Sequence, residues 1–394
     1  MMNTQRWMSR QFFSFYLTWG VFLPYWTGWM IHTKGITISQ ASLIMSLGLV
    51  VRGLSTLFAF PYLSVKFSSR TLLKAMTLGT LIAILGYIPT ATFTSLLMIT
   101  LLLHIVYPTL MPALDSAAGV LAQSKQLRDY GKSRSWGSIG FVVAGMILTV
   151  FTGKFGDEVI LWALLIGTSV FVLLGFMPAP AVLSEKLQTE QAKKGGMLRL
   201  FRVKYFGLVL VIVILLQAAH ASYYSYGYIF LQDIHAPQYL IGVILNIAVI
   251  AEIIFFSIAD RAFGKFSAGS LLTLAALGST VRWILVFAFP NVVMFCIAQT
   301  LHACSFAMAH YAFMKYLIKN VPHEQVSMAQ GMYSALALSW STAVFTIFGG
   351  YLYAIEPQYA FIGMITCTIP AMLLALVYQK MANQKEARIK RSAS

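Results

Sequence analysis

From about residue 11 to residue 379 the sequence is a nearly unbroken series of apolar stretches, each long enough to form a helix across a bilayer. A spanning helix needs roughly 20 mainly apolar residues. In hydrocarbon every backbone polar group must be satisfied internally, so a chain of this kind folds as helices. Composition closes off the soluble alternative. Of 394 residues, 59% are hydrophobic and 10% are charged, where soluble domains carry about 25% charged residues. No soluble core of this length buries so much apolar side chain.

Helices are expected at about 11–31, 39–62, 71–90, 95–122, 130–152, 158–178, 204–230, 238–258, 267–289, 292–319, 327–351 and 357–379. Only the connection at 179–203 is long and polar. It divides the chain into an N-terminal bundle of six helices (1–178), a linker, and a C-terminal bundle (204–394) ending in a short basic tail. The fold class is therefore all-α and membrane-embedded, with twelve transmembrane helices in two groups of six. Two halves of this kind suggest a repeat transporter with its substrate site near the midplane.

The net charge of +16 would suggest nucleic acid in a soluble protein. Here the basic residues sit in alternate loops, among them Arg6, Arg10, Lys66, Arg70, Lys74, Lys125, Arg128, Lys132, Lys186, Lys193, Lys194, Arg199, Arg202, Lys204, Arg261, Lys265, Lys315 and Lys319. The remaining loops hold only Lys34 and Lys154. The positive-inside rule places both termini in the cytoplasm. The basic start, Met1 to Arg10, reads as an anchor leading into the first span, not as a removed signal peptide. Cys296, Cys304 and Cys367 lie in apolar runs with no zinc spacing, and the reading is of membrane burial. The expected setting is an inner membrane, with a small-molecule substrate and lipid as partners, no nucleic acid, no cofactor or metal, and a monomeric state.

A few ionisable residues fall inside the spans: Arg52, His104, Asp115, Arg134, His220, Glu252, Arg282, His302 and His310. A charge at a helix centre costs about 2.5–3.5 kcal/mol on insertion scales, so these residues should face a polar cavity or one another. In an antiparallel hairpin, residues equally far from the turn share a depth. Counting this way pairs Asp115 with Arg134, and gathers His220, Glu252, Arg282 and His302 into a belt at one depth. Gln217, His220 and Tyr224 have the spacing of one helix face. Tyr25, Trp26 and Trp29 crowd the first helix; Trp136 and Phe141 lie on the fifth. Aromatics beside an arginine suit an aromatic carboxylate, but also a sugar or a nucleoside.

Ordered segments carry a resemblance to a known family: GVFLPYW at 20–26, GLVVRGL at 48–54, DYGKSRSWGSIGFV at 129–142, LLQAAHASYYS at 215–225, VIAEIIFFS at 249–257, VRWI at 281–284, QTLHACSF at 299–306 and YSALALSWS at 333–341. The chain resembles the major facilitator superfamily, and within it the bacterial 3-phenylpropionate permease group, a branch of lactose-permease-like proton symporters. The resemblance implies sugar-site counterparts at Asp115, Arg134 and Phe141. It also implies coupling residues at Glu252, Arg282 and His302. The proton-carrying glutamate of lactose permease falls at Ser305, which departs from the pattern and leaves Glu252 as the first candidate carrier and Asp115 as the second.

The expected function is proton-coupled symport of a small aromatic carboxylate by alternating access. Asp115, Arg134, Phe141, Gln217, His220, Tyr224 and Trp26 are the candidate substrate contacts, and Glu252, Arg282, His302 and Asp115 the candidate coupling groups. Alternatives within transport are a sugar or nucleoside symporter or a sugar exporter. A membrane enzyme or sensor is disfavoured, because no nucleophile, metal cluster or output domain is apparent.

Overall fold

The computed structural model describes residues 3–185 and 196–393. The centre of the expected linker, including Lys186, Lys193 and Lys194, lies outside them. Twelve long helical segments follow in order: α1 Thr4–Lys34, α2 Ile38–Lys66, α3 Ser69–Leu85, α4 Phe93–Gln123, α5 Tyr130–Phe155, α6 Val159–Phe176, α7 Phe206–Asp233, α8 Gln238–Phe263, α9 Ala268–Ala288, α10 Val292–Asn320, α11 Met328–Ile355 and α12 Tyr359–Gln384. Ten of these are long and apolar enough to span by length and composition alone. The other two are α1, rich in Trp, Tyr and polar residues, and α3, with 17 residues. No strand occurs among the described residues.

Helix starts follow local capping chemistry. Thr37 and Gln40 form a reciprocal capping box at α2. Ser68, Asp129, Ser267 and Asn291 each accept a backbone N–H of the helix they open, satisfying one of the orphaned donors there. Several helices are irregular inside. Pro108 interrupts α4 at the turn 107–109, as expected for a residue with no backbone N–H. α7 breaks at Ala219 and His220, between Phe206–Ala218 and Ala221–Asp233. π-helical turns interrupt α2 at Ser55–Ala59, α10 at Ala303–Ala307 and α11 at Leu336–Trp340. Such turns are rare and often mark functional positions.

Contacts divide the chain into two compact units: Met1–Glu190 with Tyr224–Asn246, and Gln191–Tyr223 with Ile247–Ser394. Two of the three divisions fall within α7 and α8. In the first unit α1 lies against α5. A Cβ on Gly140 would sit 2.4 Å from the Phe13 carbonyl oxygen, and one on Gly20 would sit 2.8 Å from that of Phe141. Small residues let these helices touch backbone to backbone, the usual basis of helix association in lipid.

The same unit contains a second close seam, toward the end of the helices opposite the chain's N-terminus. A Cβ on Gly242 would lie 2.1 Å from the Gly145 carbonyl oxygen, and one on Gly145 would lie 2.7 Å from Asn246 Nδ2. Gly28 is equally tight against the ring of Tyr228. Hydrogen bonds stitch the seam: Gly242 N–H to Thr149 Oγ1 at 3.1 Å, Thr149 Oγ1 to the Gln238 carbonyl at 2.8 Å, Asn246 Nδ2 to the Val142 carbonyl at 3.0 Å, and Ser42 with Tyr226 at 2.7 Å.

In the second unit Leu210, Val213 and Leu216 of α7, Leu271, Leu272, Ala275 and Ala276 of α9, Ala309, Ala312 and Phe313 of α10, and Ala371 and Ala375 of α12 form one buried cluster. Large apolar side chains such as Leu102, Val150, Ile166, Leu173, Val293 and Val344 lie more than half exposed. That pattern fits helices whose outer faces are solvated by lipid.

Candidate functional site

Polar groups at mid-helix gather into one cluster in each unit. In the second unit the centre is Arg282 on α9, 1% exposed. Its Nη1 donates to His302 Nδ1 at 2.9 Å and to Ser305 Oγ at 3.2 Å, and its Nη2 donates to Gln299 Oε1 at 2.7 Å. The guanidinium also lies over the rings of Tyr223, at 4.7 Å, and Trp283, at 4.4 Å, an arrangement that stabilises a dehydrated cation.

Hydrogen-bond direction assigns the histidine protons. A guanidinium only donates, so His302 Nδ1 accepts and the ring proton sits on Nε2, 3.8 Å from Glu252 Oε2. His220 turns Nδ1 to the Leu216 carbonyl at 2.9 Å, which makes that nitrogen the donor, and Nε2 accepts from Ser305 Oγ at 2.9 Å. The result is a one-way run from Arg282 through Ser305 and His220 to a backbone carbonyl beside the break in α7. Ser305 is thus a hydrogen-bonding hub where the resemblance placed a glutamate. Along α10 the rings of His302, Phe306 and His310 stack in parallel, with centroids 5.1 and 6.5 Å apart. Beyond them His310 meets Tyr333 Oη at 3.3 Å, and the same hydroxyl accepts from Gln217 Nε2 at 2.8 Å.

In the first unit Tyr16 on α1 is the meeting point. Arg134 Nη2 donates to its hydroxyl, and the guanidinium lies 4.2 Å from its ring centre and 5.6 Å from that of Phe12. Arg52 on α2 lies near Tyr16 and Tyr224 and packs over Trp19 at 5.7 Å. Asp115 accepts from Tyr130 Oη at 3.0 Å. Nearby, His104 bonds the Thr100 carbonyl at 2.8 Å, its ring seated where Gly48 lacks a side chain.

The structure brings together His220, Glu252, Arg282 and His302, with Gln217 close by through Tyr333. Asp115 and Arg134 lie within electrostatic reach of each other, with Tyr130 and Tyr16 taking their hydrogen bonds. The structure corrects two expectations. Gln217, His220 and Tyr224 do not share one continuous helix face, because α7 breaks at His220 and Tyr224 belongs to the other unit. Trp26 is fully buried, stacked on Trp29 at 4.4 Å and edge-on to Tyr87 at 4.9 Å, so it sits in an aromatic core. Phe141 is half-buried on α5. Tyr16, Tyr130 and Gln299 were not singled out from the sequence. Gln299 stands three residues before His302, the one signal that could have found it.

The profile of the MFS_1 like family matches residues 5–363. The chain is 30% identical over 373 residues to the "Probable 3-phenylpropionic acid transporter" of Escherichia coli (strain K12), covering 95% of this chain and 97% of that one. It is 28% identical to the "Maltose permease" of Geobacillus stearothermophilus over 78% of this chain and 77% of that one. Among solved structures, the nucleoside transporter NupG matches with a TM-score of 0.82 at 15% identity, covering 96% of this chain and 99% of that one. A POT family transporter in complex with 5-aminolevulinic acid matches with a TM-score of 0.75 at 11% identity, covering 96% of each. With a family match running through both groups of helices, a relative aligned nearly end to end, and twelve helical segments in the expected order, the chain belongs to the MFS_1 like family: it is a multi-pass membrane transporter of the major facilitator fold.

Proposed function

We propose that this transporter carries a small aromatic carboxylate of the 3-phenylpropionate kind together with a proton, by alternating access. The observation that carries the reading is the charge balance around Tyr16. Two guanidiniums, Arg52 and Arg134, lie close to it, with one carboxylate, Asp115, held by Tyr130. The excess of one positive charge in a membrane interior favours an anionic guest, because an uncompensated intramembrane charge is costly. Phe12, Tyr16 and Trp19 surround the two guanidiniums with aromatic rings. The name of the Escherichia coli relative points to the same substrate class.

The second cluster has a different balance, with one arginine, Arg282, and one carboxylate, Glu252, joined through neutral His302. Adding a proton to Glu252 changes the cluster's net charge by one and turns the charged acceptor facing His302 Nε2 into a weaker, neutral one. That is the kind of local change a proton-driven step requires. Glu252 is the proposed proton carrier, with Arg282, His302 and Asp115 tuning it. Arg134, Asp115, Phe141, Gln217, His220 and Tyr224 are the proposed substrate contacts.

The test is uptake of radiolabelled 3-phenylpropionate into proteoliposomes with an imposed pH gradient. Accumulation that collapses with a protonophore and is competed by aromatic acids is expected. Competition by maltose or uridine, with none by aromatic acids, would replace this substrate class with a sugar or nucleoside.

A further inference from the structure

The polar seam of the first unit continues to the end of the helices opposite the chain's N-terminus, away from the two mid-helix polar clusters. There Asp157, in the turn between α5 and α6, takes two short hydrogen bonds. His32, near the end of α1, meets Oδ2 through Nδ1 at 2.5 Å, and Tyr228 of α7 donates to Oδ1 at 2.5 Å. Gln238 and Gln232 in turn donate to Tyr228 Oη, at 2.7 and 3.2 Å. Asp157 is 9% exposed by side chain, while His32 is 37% exposed. A cleft of about 610 Å³, lined by His32, Thr152, Asp157, Glu158, Gln232 and Gln238, opens beside the pair.

Three separate pieces of chain therefore meet on one carboxylate: the end of α1, the α5–α6 turn and the second part of α7. Directly beneath lie the glycine contacts of Gly28, Gly145 and Gly242. We infer that His32, Asp157 and Tyr228 form the latch that holds this face of the transporter closed, and that proton exchange at His32 sets how tightly it holds. This rests on the alternating-access reading, in which the segment 224–246 must part from α1 and α5 for this face to open.

The groups facing His32 are Asp157 from the turn and Asp233 from the end of α7. Glu158 also lines the cleft, and Lys34 follows on α1 itself, bound to the carbonyls of Tyr87 and Thr90 at 3.0 and 2.7 Å. His32 lies just past the span expected at 11–31, and Asp157 lies between spans. The hydrogen bond to Asp157 raises the imidazole above its ordinary range, against the effect of partial burial, and the charges of Asp157 and Asp233 add to the rise. Burial pushes Asp157 up, but the hydrogen bonds from His32 and Tyr228 outweigh it, and the carboxyl titrates below its ordinary range. The His32 contribution is thus complete below the ordinary imidazole value and is lost as pH rises through the raised one. The Asp157 contribution is complete above the ordinary carboxylate value and is lost as pH falls through the depressed one. Mildly acidic solution on this face holds the latch shut, and alkaline solution loosens it.

The test uses the full-length protein in lipid vesicles, with Cys296, Cys304 and Cys367 replaced by alanine and a reporter Ser42→Cys. Ser42 is 2% exposed and bonded to Tyr226 beneath the latch. Labelling by a membrane-impermeant maleimide is followed against pH, normalised to Ile88→Cys, a position 47% exposed on the same face, which removes the thiol's own titration. The normalised rate is expected to rise about two- to fivefold as pH passes the His32 titration, the range a half-exposed ion pair supports. His32→Gln should abolish the step and label fast throughout. Tyr228→Phe should label faster but keep the step, since it leaves the titrating pair in place. A flat profile in the parent, or a step that survives both His32→Gln and Asp157→Asn, overturns the latch. Labelling needs no substrate, so that failure is distinct from failure of the aromatic-acid reading, which uptake decides.

Discussion

Replacing Gly242 with alanine adds one methyl group where the structure has no space. The new Cβ would stand 2.1 Å from the Gly145 carbonyl oxygen and 2.8 Å from Tyr25 Oη. Ordinary contact is about 3.5 Å, so the start of α8 must retreat from α5 by about 1.4 Å. Backbone oxygen cannot swing aside as a flexible side chain would. The retreat stretches two hydrogen bonds beyond useful length: Gly242 N–H to Thr149, now 3.1 Å, and Asn246 to the Val142 carbonyl, now 3.0 Å. Overpacking costs about 1–3 kcal/mol and each neutral hydrogen bond contributes about 1 kcal/mol. The closed seam should lose about 3–5 kcal/mol. In alternating access the loss appears as opening and not as unfolding. Normalised maleimide labelling of Ser42→Cys should then rise by at least tenfold, while the melting temperature of the detergent-solubilised protein changes little. Gly119→Ala is the matched control, because a Cβ there meets nothing within 4 Å. It should leave labelling unchanged and stabilise α4 by up to about 1 kcal/mol. Unchanged labelling in Gly242→Ala would refute the reasoning, since it would mean that the seam yields without opening.

Other substitutions probe the two polar clusters. Glu252→Gln should retain substrate exchange but lose accumulation driven by a pH gradient, measured as counterflow against uptake; full accumulation would remove Glu252 as the carrier. Arg134→Lys keeps the charge but loses the planar group that lies over Tyr16. It should raise the KM for uptake about ten- to hundredfold, matching the 1.5–3 kcal/mol of a charged hydrogen bond, with a smaller change in maximal rate. Arg282→Ala leaves His302, Ser305 and Gln299 without their shared donor. It should destabilise the protein by about 3–5 kcal/mol, seen as a fall in melting temperature that Arg282→Lys partly restores.

The helices and the convergence of Glu252, Arg282, His302 and His220 were legible because both follow from one-dimensional rules. Apolar length predicts a span, and equal distance from a turn predicts equal depth. The same rule places Asp115 near Arg134 but not their hydrogen-bond partners, since equal depth says nothing about the direction in which each side chain leaves its helix. Tyr130 and Tyr16 fill those directions. The break in α7 lies in Gln217-Ala-Ala-His220-Ala-Ser222, which contains neither glycine nor proline. It is sustained by tertiary contacts, among them the bond from Ser222 Oγ to the Ala360 carbonyl at 2.7 Å. The glycine seam was likewise hidden, because a glycine at a close helix contact is indistinguishable in sequence from one such as Gly119 with open space around it. Trp26 misled for a related reason: aromatic density near intramembrane charges marks a packed core as readily as a binding surface.

The π-helical turn at Ala303–Ala307 gives α10 one more residue than a regular helix would place between its ends. An α-helix turns through about 100° per residue, so deleting any one residue there would let the helix become regular while rotating one end against the other by about that angle. His302 would keep Arg282 only if His310 swung away from Tyr333, or the reverse. The extra residue therefore works as a phase adjuster that lets one helix serve two partners whose angular positions are otherwise incompatible. A lineage that lost it would have to rebuild one end of this helix's contacts from new side chains.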